Sequence, residues 1–127
     1  MCVELQGEHR SRRQRHSMSP RTAEIKLFVE LDDDRLPTRI EWEATEAKDK
    51  GPTQCHSVML SLWDGKHKTV ATIDLWTKDT TIADINLHFY QTFHKMADTY
   101  LRATKNADTA RLIHEFSDSF GESAGLR

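Results

Sequence analysis

The sequence predicts an α+β fold, a four-stranded antiparallel sheet followed by two helices packed on one of its faces. Three observations carry that expectation. Apolar and polar residues alternate along residues 24–44 and again on either side of Asp64-Gly65, which is the period of half-buried strands. From Ile82 onward the apolar residues recur every three or four positions, as on an amphipathic helix. Strands first and helices last is the order of an antiparallel sheet with its helices segregated to one side.

The first strand places Ile25, Leu27, Val29 and Leu31 inward, with Glu24, Lys26, Phe28 and Glu30 between them. Asp32-Asp33-Asp34-Arg35 interrupts the alternation, and Pro37 holds Leu36 extended. The three adjacent carboxylates lack the spaced pattern and distal glutamate of a calcium loop, so they read as a solvated turn. Ile40, Trp42 and Ala44 face inward from the second strand. After the polar loop 48–52 an apolar run extends from Cys55 to Trp63, and a further strand covers Lys68 to Thr77. The Asp-Gly pair between these two runs predicts a hairpin. With a loop of two or four residues, Val58, Leu60 and Leu62 share a face with Ala71, Ile73 and Leu75. All six are apolar, as a buried face requires. The opposite face presents Met59, Ser61 and Trp63 beside Val70, Thr72, Asp74 and Trp76, with Phe28 joining from the first strand. That is too apolar for the solvated side of a sheet and marks a covered surface or a binding surface.

In the helical part, Thr81 with Asp84 resembles a capping box. Ile82, Ile85, Phe89, Phe93, Met96, Ala97 and Tyr100 form the first stripe. Asn106 caps the second helix, Leu112, Ile113, Phe116 and Phe120 supply its stripe, and Gly121 stands where it would end. Both stripes read as core rather than as a cofactor site.

At 127 residues, 37% hydrophobic and 30% charged, the chain has the composition of one globular domain. The expected organisation is a basic, disordered extension over residues 1–21, a single domain over 22–122 and a tail over 123–127. Four arginines crowd positions 10 to 15. They offer a basic arm for nucleic acid or anionic lipid, a plain extension, or a segment preceding a start at Met18. Without them the net charge of −2 becomes more acidic, so the body has no electrostatic reason to bind nucleic acid. No stretch reaches the roughly 18 apolar residues of a membrane span, and no apolar signal segment opens the chain. Cys2 and Cys55 read as free thiols in a reducing compartment, which places the protein in the cytoplasm.

Catalytic constellations are missing. No nucleophile elbow, phosphate loop, dinucleotide fingerprint or zinc-protease motif occurs, so no enzyme activity, cofactor or metal is expected. His88 and His94 stand about 120° apart around a helix and do not chelate one ion. His56, His67 and His114 lie among polar residues. A nucleophile–base pair of Cys55 and His114 would have to assemble in space, and nothing in their spacing favours it. In Ile73-Asp74-Leu75-Trp76-Thr77-Lys78-Asp79, Asp79 and Thr80 suit a helix-capping turn. Asp74, Trp76 and Lys78 form a mixed aromatic and charged edge suited to an interface. Phe28, Met59, Trp63, Val70, Asp74, Trp76 and Lys78 are therefore the candidate protein-binding surface.

Four segments resemble the gliding-motility protein C (GldC) family of the Bacteroidetes: EIKLFVELDDDRLPTRIEW (24–42), MLSLWD (59–64), IDLWTKD (73–79) and FYQTFHKMADTYLRAT (89–104). EFSDSFGE (115–122) is a weaker match. The chain departs from the family pattern in its 17-residue basic head and at Thr80, where methionine is expected. The resemblance implies a small accessory protein of surface gliding without enzymatic activity. Its partner would be a component of the gliding machinery, such as lipoprotein B, or a second copy of the chain. An alternative, by fold analogy alone, is a chaperone-like binder of unfolded or export-bound clients of the SecB type.

Overall fold

The computed structural model describes residues 21–126. They form β1 (Ile25–Leu31), β2 (Pro37–Ala44), β3 (Thr53–Cys55), β4 (Ser57–Asp64), β5 (Thr69–Trp76), α1 (Ile82–Thr104) and α2 (Ala107–Ser123). Two compact units result, the strands up to Asp79 and the helices from Thr80. The basic extension expected at 1–21 lies, but for Arg21, outside the described residues, as does Cys2.

The mixed α+β composition is as expected, but the single four-stranded sheet is not. β1-β2-β3 form one antiparallel sheet and β4-β5 another. The run expected to begin a strand at Cys55 is divided at His56. Before that residue the chain pairs with β2, placing Cys55 opposite Ile40. After it the chain pairs with β5. The Thr77 N–H donates to the His56 carbonyl at 2.9 Å, and the Lys78 N–H donates to the Pro37 carbonyl at 3.0 Å. The end of β5 thus takes the place beside β2 that β4 would otherwise have continued to occupy.

In the first sheet the alternation holds in register, but of the four β1 residues expected inward Ile25 and Leu31, at the two ends of the strand, are exposed and only Leu27 and Val29 are half-buried. Ile25 faces Ala44, Leu27 faces Trp42 and Val29 faces Ile40, so one face gathers the apolar side chains. Ile40, with 0% exposure, is the centre of this core, and Ala44 and Ala47 are buried beside it. The acidic turn holds itself together. Asp32 Oδ1 accepts from the Asp34 and Leu36 N–H groups at 2.9 and 3.0 Å, an Asx-type turn, and Arg35 adopts φ 64° to complete it.

In the helical unit the Thr81 hydroxyl accepts from the Asp84 N–H at 3.1 Å, and Asn106 Oδ1 accepts from Thr109 at the same distance. Both caps are those expected. Phe93 packs edge-on against Phe116 and Phe120, each with ring centroids 5.2 Å away. The seam of α2 is rotated from the expected stripe, because Leu112 and Phe116 are exposed while Ala110, Ser117 and Gly121 are buried. Small residues let the two helix backbones approach, and hydropathy does not mark them as core. The buried Ser117 hydroxyl is satisfied by the Ile113 carbonyl at 2.8 Å. Gly121 therefore sits inside the helix rather than ending it. Gly125, at φ 79°, supplies the left-handed residue, and the Leu126 N–H reaches back to the Gly121 carbonyl at 2.7 Å.

Candidate protein-binding surface on the β4–β5 hairpin

The hairpin follows from its turn. Asp64 Oδ1 accepts from the Lys66 and His67 N–H groups at 2.9 and 3.3 Å, and Oδ2 lies 2.8 Å from His67 Nδ1. The His67 side chain, ahead of these backbone donors, holds the Asp64 carboxyl below its ordinary range. Four residues, Gly65 to Lys68, link the strands, and Lys68 takes φ 55°. This is one of the two loop lengths that set the expected parity.

The register places Met59 opposite Asp74, Ser61 opposite Thr72, Trp63 opposite Val70 and Ser57 opposite Trp76. The second face pairs Val58 with Leu75, Leu60 with Ile73 and Leu62 with Ala71. Both rows are those read from parity. Trp63 is 65% exposed and Trp76 57%, with Val70 and Asp74 also exposed and Met59 half-buried. The face expected to be buried is not. Leu60, Leu62 and Ile73 are exposed, and only Val58 and Leu75 are half-covered. A hairpin lacks the width to bury either face by itself. Phe28 does not join the row: it lies exposed in the other sheet, opposite Glu41.

Beside Trp76 a shallow cleft of about 270 Å³ is lined by Leu36, Pro37, Asp74, Leu75, Trp76 and Lys78. Lys78 Nζ is bound to Asp32 Oδ2 at 2.8 Å. That ammonium, followed by the Leu36 N–H, keeps the Asp32 carboxyl ionised below its ordinary range. Lys78 thus forms one wall of the cleft as half of an ion pair. Asp79 accepts from the buried Thr77 hydroxyl at 2.7 Å, while Thr81 supplies the helix cap. The cleft offers an apolar floor with an anion and an ion pair at its rim, suited to an apolar side chain on a protein partner.

The helical unit brings together a cluster that sequence reasoning missed. His94 Nδ1 and His114 Nδ1 are 2.7 Å apart, so one of them donates to the other. His94 Nε2 lies 3.4 Å from Asp118 Oδ1 and His114 Nε2 lies 3.2 Å from Asp98 Oδ1. The signal was present as a repeated spacing, His94-x-x-x-Asp98 on one helix and His114-x-x-x-Asp118 on the next. Antiparallel pairing crosses the two. Among the described residues no three histidine, cysteine or carboxylate side chains form a metal-binding group. Cys55 belongs to the strand unit and His114 to the helical one. Burial raises the Cys55 thiol above its ordinary value, which works against a thiolate nucleophile. Burial likewise pushes His88 down.

No helix among the described residues is long and apolar enough to cross a membrane. Neither a curated protein nor a solved structure matches the chain. A family model does, that of the gliding motility-associated protein GldC-like family, over residues 37–125. The match covers both hairpin strands, the cleft apart from Leu36, and both helices, well over half of the chain, and the chain accordingly belongs to the GldC-like family of gliding motility-associated proteins.

Proposed function

We propose that this chain is a non-enzymatic, cytoplasmic accessory protein of the gliding machinery that binds another protein through the hairpin face bearing Trp63 and Trp76. The observation that carries the reading is the exposure of these two tryptophans, with Val70, on a face that a solvated hairpin would make polar. Asp74 and the Lys78–Asp32 pair supply the polar rim around that patch. The natural partner is another gliding component, such as lipoprotein B. Binding of purified lipoprotein B to the wild type and to the Trp63→Ala plus Trp76→Ala variant tests it. Loss of binding by a variant with unchanged circular dichroism supports the surface; undiminished binding by that folded variant overturns it. Exposure of Leu60, Leu62 and Ile73 on the other face favours a second reading, capture of apolar segments of unfolded clients. That reading fails when equimolar protein leaves the aggregation of a denatured client unchanged.

A further inference from the structure

β4 has one edge paired with β5 and one edge that no strand of the described residues covers. The two outer edges of the hairpin are not equivalent. At its far end β5 abuts the β1–β2 turn, where Lys78 bonds to Pro37 and Leu36 lines the cleft. Among the described residues no strand pairs with the outer edge of β4 along Met59, Ser61 and Trp63. Soluble proteins guard such edges with lysine, proline, a bulge or a very short strand. β4 has none of these. It runs eight residues in unbroken register, and its single charge, Asp64, stands at the end.

We propose that two copies of this chain pair through the free edges of β4, antiparallel about a two-fold axis, into one continuous β5-β4-β4-β5 sheet. The register follows from the hydrogen bonds. Thr77 donates to His56, so in an antiparallel ladder the even residues of β4 bond inward to β5. Met59, Ser61 and Trp63 then turn their N–H and C=O groups to the open edge. Pairing odd with odd, centred on Ser61, sets Ser61 against its own copy, Met59 against Trp63 and Leu60 against Leu62. A small residue sits on the axis, a thioether meets an indole, and no like charges face one another. The same register aligns both apolar rows of the hairpin across the axis. A second copy satisfies this edge from both sides at once, and the closed symmetry uses each edge only once. Two strands are marginal in water and four are not.

The test is the full chain in solution, by analytical ultracentrifugation and amide exchange. The expected wild type is a dimer in which the Met59, Ser61 and Trp63 amides exchange as slowly as those of Leu60 and Leu62. Ser61→Pro removes both central bonds across the axis and leaves the β4–β5 ladder intact, since its own N–H points outward. It should weaken the dimer on the order of a hundredfold and expose the Met59 and Trp63 amides while Leu60 and Leu62 stay protected. Should the proline disturb folding, Ser61→Lys places two ammonium groups on the axis and weakens association in a way that added salt relieves. Trp76→Ala lies on β5, away from the edge, so it leaves the dimer unchanged whatever it does to partner binding. A wild type that remains monomeric, rapid exchange of the three outward amides, or a Ser61→Pro variant with unaltered mass and protection overturns the proposal.

Discussion

β2 and β5 are strands of the same length, eight residues each, and meet opposite fates. β2 lies between β1 and β3 and buries Ile40 completely. β5 alternates as well yet buries no residue fully, because among the described residues β4 is its only paired strand. Alternation specifies which side chains share a face; it does not supply the element that covers them. β2 therefore carries stability, and β5 presents an apolar surface.

The widest separation between the two should appear in stability. Ile40→Ala is expected to cost about 2–5 kcal/mol in urea denaturation, from lost burial and the cavity left behind. Trp76→Ala should cost less than about 1 kcal/mol despite deleting a larger side chain, because more than half of it is exposed. Equal costs would show that β5 is covered in solution and would end the contrast. The helical unit gives an intermediate case. His94→Ala removes the bond to His114 and should cost about 1 kcal/mol. A double-mutant cycle with His114→Ala should return most of that as coupling between the two. Smaller still is the helix junction, where Lys105 holds φ 63° at the end of α1. Lys105→Gly should stabilise by about 0.5–1 kcal/mol in thermal unfolding, since glycine adopts that geometry without strain.

The Lys78–Asp32 pair at the rim of the cleft should make itself felt only in acid. The folded Asp32 carboxyl titrates below its ordinary value of 3.8. Its contribution is therefore complete above that value and is lost as the pH falls through the lower, folded one. The stability difference between wild type and Asp32→Asn should be constant near neutrality and shrink only in strong acid. A difference that changes between pH 5 and 8 would point to another group.

Much of this surface was legible beforehand, for a local reason. Parity and an Asp-Gly turn are properties of adjacent residues, and they sufficed to put Met59 and Trp63 on one face with Val70 and Asp74, while the pairs themselves follow from the four-residue loop. Phe28 was misplaced because no local pattern says which sheet a strand joins. The division of residues 53–64 at His56 depends on bonds from Thr77, twenty-one positions later, and on the neighbouring Lys78–Pro37 bond. The histidine cluster was hidden for the same cause, since two i, i+4 spacings acquire meaning only when antiparallel helices bring them face to face.

By itself, then, the sequence determined the elements of this protein: two caps, the alternating strands, the two faces of the hairpin and the absence of a catalytic motif. These depend on periodicity and on side chains bonding to backbone within four residues. Only the tertiary structure decided which apolar residues are covered. It put Ile40 and Ser117 inside, left Trp63, Leu62 and Leu112 outside, and left one edge of β4 without a paired strand among the described residues. Burial is a property of neighbours distant in sequence. It is there, on the uncovered hairpin, that the family's role in gliding motility meets a surface that can be tested.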